Sequence, residues 1–180
     1  MPALHAKRQV NHSAQEMFDL VADVERYPEF VPYCRGHVIV SRGKSGDDEL
    51  LVTDMTMARG VFRETIRGRD TLDRKNCSIV VEAKAGLVRR LRTVWTFQPR
   101  SSESCDVVFD LSYEFSSLLL EFVLAAILDD TFRGFVRAFE RRADVIYGAP
   151  GKSSRDVGTS SRVASAQAQA RRASLQSPAA

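Results

Sequence analysis

The residues able to do chemistry are few and scattered. Three histidines (His5, His12, His37) and three cysteines (Cys34, Cys77, Cys105) show no metal-ligand spacing and no C-x-x-C pair. A structural zinc site is therefore not expected. Cys34-x-x-His37 is the one suggestive pair. A nucleophile and its base need a third group to orient them, and the pattern provides none. The ordinary reading is a strand-start histidine near a buried thiol. No glycine-rich phosphate loop occurs. Glu64 shares strand parity with Phe62 and Ile66, while Arg63, Arg67 and Arg69 take the other face. That makes Glu64 the best inward carboxylate. Its first reading is a hydrogen-bonded structural group; its second is a catalytic acid or base.

A binding role asks less of the residues. Thr93, Trp95 and Phe97 share one inner face, and Phe109, Leu111 and Tyr113 share that of the neighbouring strand. Thr93, Trp95 and Tyr113 each add a hydrogen-bond donor to an apolar wall. Trp95 and Tyr113 read alternatively as core aromatics bonded to backbone. Tyr27, Phe30, Pro32 and Tyr33 form an aromatic and proline cluster that either rims an opening or packs the end of a sheet.

These groups must be held by elements that the pattern makes legible. Leu4 to Val10 reads as a strand with Leu4, Ala6 and Val10 on one face. Ser13-x-x-Glu16 is a capping box opening a helix from Ala14 to Val24, with Met17, Leu20, Val21 and Val24 on one stripe. Pro28 can open a second, short helix and Pro32 should end it. Period-two strands follow at His37–Arg42, Leu50–Ala58, Phe62–Arg69, Cys77–Ala83, Leu91–Gln98 and Asp106–Phe115, separated by turn residues. The short connections imply antiparallel hairpins. A long helix from Ser117 to Tyr147 carries Leu118, Phe122, Ala125, Leu128, Phe132, Phe135, Phe139, Ala143 and Ile146 on one stripe. The expected fold class is α+β: a curved antiparallel sheet wrapped on a long C-terminal helix, with an apolar cavity between them.

The chain has 180 residues and a net charge of +3. Beyond Ala149, five basic residues face one acid, a net of +4, so residues 1–149 carry −1. A basic isoelectric point invites a nucleic-acid partner, but here the excess belongs to the tail, and stable nucleic-acid binding is not expected. The Ser- and Ala-rich segment 149–180 lacks aromatic residues and is expected to be disordered; residues 1–148 form the folded domain. No run of 18 apolar residues occurs, and the N-terminus lacks a signal pattern. The few scattered cysteines point to a reducing, cytoplasmic setting.

The order of elements resembles the helix-grip fold of the START-like, or polyketide cyclase/dehydrase-like, superfamily. Tyr27-Pro-x-Phe30-Val31-Pro32-Tyr33-Cys34 resembles the Y-P-x-F-L-P-W-C signature of the Coq10 coenzyme Q-binding proteins. Phe62-Arg-Glu64, Gly86, Leu91, Trp95-Thr-Phe97, Cys105-x-Val107-x-Phe109, Tyr113-Glu-Phe115-Ser, Phe135-Val-x-Ala-Phe139-Glu-x-Arg142-Ala and Ile146-Tyr147-Gly148 follow in register. The likeness covers about residues 3–148. Val31 replaces the usual Leu and Tyr33 the usual Trp. The sister group, the RatA ribosome-association toxins, has Gly at the position of Tyr33, so the aromatic favours the Coq10 side.

The resemblance implies a non-enzymatic protein that holds ubiquinone or a related polyprenyl lipid as ligand, with no further cofactor, in support of respiration or quinone biosynthesis. The implied ligand wall is Tyr27, Phe30, Pro32, Tyr33, Glu64, Thr93, Trp95, Phe109, Tyr113, Phe132 and Phe135. The implied place is the cytoplasm, in peripheral contact with the inner face of the membrane through the apolar start of the last helix, the rim aromatics and Arg89, Arg90 and Arg92. The alternatives are a RatA-like factor on the large ribosomal subunit and a polyketide cyclase/aromatase.

Overall fold

The computed structural model describes residues 3–84, 86, 88–115 and 134–149. Seven antiparallel strands form one sheet: β1 (Ala3–Val10), β2 (Cys34–Ser45), β3 (Asp48–Arg59), β4 (Phe62–Asp73), β5 (Ser78–Lys84), β6 (Val88–Ser101) and β7 (Ser104–Phe115). Their order is β1-β7-β6-β5-β4-β3-β2, so a meander is closed at one edge by the first strand. The turns between β2 and β3 and between β3 and β4 place Gly46 and Gly60 at positive φ, 62° and 61°. Only glycine adopts that conformation without strain. Register shifts within β2 and β6 mark bulges, which bend a strand and increase its twist.

Between β1 and β2 the chain forms α1 (Ala14–Ala22), a 3-10 turn (Val24–Arg26) and α2 (Tyr27–Phe30). The capping box is present: the Glu16 amide donates to the Ser13 hydroxyl, and the Ser13 amide donates to the Glu16 carboxylate at 2.8 Å. Helix α1 stops two residues before its expected end. Asp23 leaves helical geometry with ψ 64°, and the chain tightens into the 3-10 turn. Pro28 opens α2. Pro32 ends it by forcing Val31 to an extended ψ of 124°.

The strands run longer than expected. β2 starts at Cys34, β4 reaches Asp73 and β6 spans Val88–Ser101. Polar hairpin ends stay paired because cross-strand ion pairs such as Arg42–Glu49 at 2.9 Å replace apolar alternation there. Cys77 lies outside β5, at positive φ in the turn before it.

A helix over residues 134–147, called α3 here, lies against the concave face. Three polar contacts fix it: Arg8 to Glu140, His12 Nε2 to Asp144 at 2.8 Å, and Arg142 to Glu29 at 2.5 Å. The part of the expected long helix over residues 117–133, Phe132 included, and the tail beyond Ala149 lie outside the described residues.

Candidate functional site

Strand alternation puts one set of side chains on the concave face, and these divide into two halves. Around α1 and α3 the face is filled. Trp95 stacks with Phe97 at 6.4 Å, meets Phe109 edge-on at 4.4 Å and lies 5.5 Å from Phe139. Phe18 of α1 covers Phe97 at 6.1 Å. Tyr27 and Phe30 of α2 meet Phe139 at 5.2 and 5.0 Å. The space left here is an apolar cavity of about 30 Å³ between Ala6, Val10, Met17, Trp95, Phe109 and Phe139. That volume admits no quinone ring.

Over β2 to β5 and the start of β6 the concave face is only partly covered. Ile39, Met55, Met57, Ile66, Val81 and Leu91 point inward and remain half-buried. Among them lies a set of polar groups. His37 is 8% exposed, Thr53 2% and Asp70 3%. Register aligns the three diagonally: His37 faces Met55, Ile39 faces Thr53, Thr53 faces Gly68 and Leu51 faces Asp70. The Thr53 hydroxyl donates to Asp70 Oδ2 at 3.4 Å. Both His37 ring nitrogens and Asp70 Oδ1 are buried with no hydrogen-bond partner among the described residues. Each such atom costs about 1–3 kcal/mol. Burial holds the His37 imidazole down at about 4, against an opposing pull from Asp54. Burial pushes the Asp70 carboxyl up to about 6, against the Thr53 hydrogen bond. Gly68 leaves room for this pair: a Cβ there would lie 3.0 Å from Thr53 Oγ1 and 3.1 Å from Asp70 Oδ1.

The structure brings some of the sequence-derived wall together and separates the rest. Tyr27, Phe30, Trp95 and Phe109 join in the filled half around Phe139. The Tyr27 hydroxyl donates to the Val21 carbonyl at 2.5 Å, and its ring edge meets His37 at 5.1 Å. Burial drives that hydroxyl well above its ordinary range. Phe135 packs against the same core, and Pro32 lies 3.8 Å from the Cβ position of Gly134. Tyr33 stands apart at the end of β3, with φ 63° and the Arg59 guanidinium 5.0 Å over its ring. Thr93 is half-buried between Val81 and Leu111, and Tyr113 is buried beside Leu91. Glu64 points inward, half-buried, and its Oε1 accepts the Gly86 amide at 2.9 Å. Cys34 donates to the Gly36 carbonyl at 3.6 Å and makes no pair with His37.

Sequence reasoning passed over Asp70 and Thr53 and left His37 as an ordinary strand-start histidine near a buried thiol. Parity held the signal: Glu64, Ile66, Gly68 and Asp70 alternate on one face, but β4 was expected to stop at Arg69. The convex face holds the arginines that parity turned away from the core, together with others. Arg63, Arg67, Arg69, Lys84, Arg90 and Arg92 share it, exposed, across β4 to β6, with Arg67 directly opposite Lys84. Asp54 and Glu82 sit among them, and Arg67 holds Asp54 through two hydrogen bonds. The near-neutral average of residues 1–149 conceals this strip.

Residues 10–140 match the protein family described as "Polyketide cyclase / dehydrase and lipid transport". A ribosome association toxin RatA of Vibrio cholerae is 32% identical over 77% of this chain and 93% of its own length. The mitochondrial coenzyme Q-binding protein COQ10 homolog B of Xenopus laevis is 31% identical over 76% of this chain and 55% of its own length. Among solved structures, the Zhui aromatase/cyclase of a Streptomyces superposes with a TM-score of 0.74 at 16% identity, over 83% of this chain and 98% of that one. An 18 kDa protein of Caulobacter crescentus gives 0.68 at 27% identity, over 83% of this chain and all of that one. The chain belongs to the polyketide cyclase/dehydrase family, with its START-like, helix-grip α+β fold.

Proposed function

We propose that this member of the polyketide cyclase/dehydrase family binds a polyprenyl quinone of the ubiquinone type without transforming it. The observation that carries the reading is the half-buried apolar strip Ile39, Met55, Met57, Ile66, Val81 and Leu91 on the concave face. Half-covered methionines suit an exchangeable apolar ligand, because their side chains adapt to its shape. The likeness to a coenzyme Q-binding protein and the aromatic Tyr33 support the same reading. Glu64 is tied to the Gly86 amide, which suits support of the strand better than proton transfer.

Energetics set the mode of action. From water, each buried CH₂ of a prenyl tail contributes about 0.8 kcal/mol. From a bilayer that gain nearly vanishes, because lipid is as apolar as the protein. Loading therefore takes place in contact with a membrane, and contacts to the ring decide selectivity. Among the described residues no helix is long and apolar enough to cross a membrane.

A second reading rests on the convex arginines: docking on the large ribosomal subunit, in line with relatives named ribosome association toxins. Solvent extraction and mass spectrometry of protein purified from a quinone-making host, beside cosedimentation with liposomes and with ribosomes over a salt series, separate the two. The quinone reading expects copurified quinone and salt-resistant liposome binding, since apolar insertion is not screened. Extracts holding other lipids but no quinone, with ribosome binding that falls as salt rises, would overturn it in favour of the second.

A further inference from the structure

The diagonal of His37, Thr53 and Asp70 is more polar than an apolar ligand needs. Its atoms also state what they lack. A neutral imidazole has one N–H to donate and one nitrogen to accept. Neither His37 nitrogen has a partner among the described residues, and Asp70 Oδ1 has none either. The Thr53 hydroxyl is spent on Asp70 Oδ2. Gly68 at their middle lets Thr53 and Asp70 approach the backbone, where a Cβ would crowd both. The Tyr27 ring closes the His37 end edge-on, its hydroxyl already engaged with Val21. The diagonal thus offers one donor and two acceptors, with the groups at its two ends on different strands.

We propose that His37 and Asp70, the latter positioned by Thr53, form a polar subsite for an aromatic head group bearing hydroxyls, so that the protein prefers a hydroquinone to the corresponding quinone. The inference rests on the quinone-binding reading and deepens it. A quinone presents two carbonyl acceptors. It can take the His37 N–H but leaves Asp70 Oδ1 unmatched. A hydroquinone carries two O–H groups at opposite ends of its ring. One donates to Asp70 while the other donates to, or accepts from, the imidazole. Burial favours this match further, since a site built to hydrogen-bond a hydroxyl rejects the analogue lacking it. Asp70, with its carboxyl near 6, is an acceptor at neutral pH.

The test uses the full-length protein at about pH 7.5, above the Asp70 titration. A benzoquinone carrying one isoprene unit and its hydroquinone are each titrated by calorimetry without oxygen. The expected result is hydroquinone binding at least about tenfold tighter. Asp70→Asn should abolish the preference, because its amide donates to the quinone carbonyl, and His37→Gln should weaken both forms. Circular dichroism establishes that each variant is folded. Equal affinity of the native protein for the two forms overturns this inference alone, as does an unchanged preference in folded Asp70→Asn or undiminished binding of both forms by folded His37→Gln. Absence of binding by both forms removes the quinone reading with it.

Discussion

The two halves of the concave face belong to one sheet yet differ in how they are covered. On the α1 and α3 side, aromatic rings meet edge to face until about 30 Å³ remains. On the β2 to β5 side, aliphatic and thioether side chains are left half-covered around three buried polar residues. The difference lies in what the face is offered. Phe18, Tyr27, Phe30 and Phe139 arrive on helices and complete an apolar interface. The His37 ring nitrogens and Asp70 Oδ1 meet no hydrogen-bond partner among the described residues. The closest packing therefore lies in one half, and the proposed ligand site in the other.

Truncation should expose that division most strongly. Phe139 touches Tyr27, Phe30 and Trp95, so Phe139→Ala should cost about 3–5 kcal/mol in urea unfolding. Met57→Ala, in the half-covered strip, should cost about 1 kcal/mol or less while weakening ligand binding. Similar losses for the two would erase the distinction.

The pH dependence of stability sharpens it. Between 6.5 and about 4 the unfolded imidazole takes up a proton that folded His37 refuses. Its contribution to stability is therefore lost as pH falls through that window. Asp70 acts with the opposite sign. Between about 6 and 3.8 the folded carboxyl is protonated first, so the fold gains stability as pH falls. In the native protein the two offset. Asp70→Asn should steepen the acid loss relative to native by up to about 3 kcal/mol, and His37→Gln should reverse the change. Parallel profiles in all three proteins would mean that neither group is buried as described. Gly68→Ala ranks next: its Cβ would crowd Thr53 and Asp70 and should cost about 1–3 kcal/mol. Glu64→Gln comes last. The amide oxygen still accepts from Gly86, and the change should stay within about 1 kcal/mol. A polyketide-type turnover that this variant abolishes would instead give Glu64 a catalytic role.

Much of this architecture could be read from the residues. Alternation of Val107, Phe109, Leu111 and Tyr113 gave β7 its buried face, and Ser13 and Glu16 marked the start of α1. Parity alone set Glu64 inward. What escaped depended on partners that no local pattern states. Trp95 and Phe109 looked like a ligand wall because strand parity cannot say whether a helix will fill the space above them; Phe139 does. Asp70 was lost because β4 was expected to end at Arg69, just before it, rather than at Asp73. Its paired end is polar, and polar residues stay in register through cross-strand contacts rather than through apolar alternation. Parity set Arg63, Arg67 and Arg69 on the convex face, but net charge ignores which face a strand presents and so hid that Lys84, Arg90 and Arg92 join them in one strip.

The central claim is that the half-covered strip of β2 to β5 is where a prenylated ring binds. Photocrosslinking tests it most directly. A benzoquinone with a short diazirine-bearing prenyl chain would be loaded from liposomes onto the native protein and irradiated, and the adducts mapped by peptide mass spectrometry. The account predicts adducts on Met55, Met57 and Ile66, reduced by excess unlabelled quinone. Adducts confined to the convex face, or none that unlabelled quinone displaces, would contradict it.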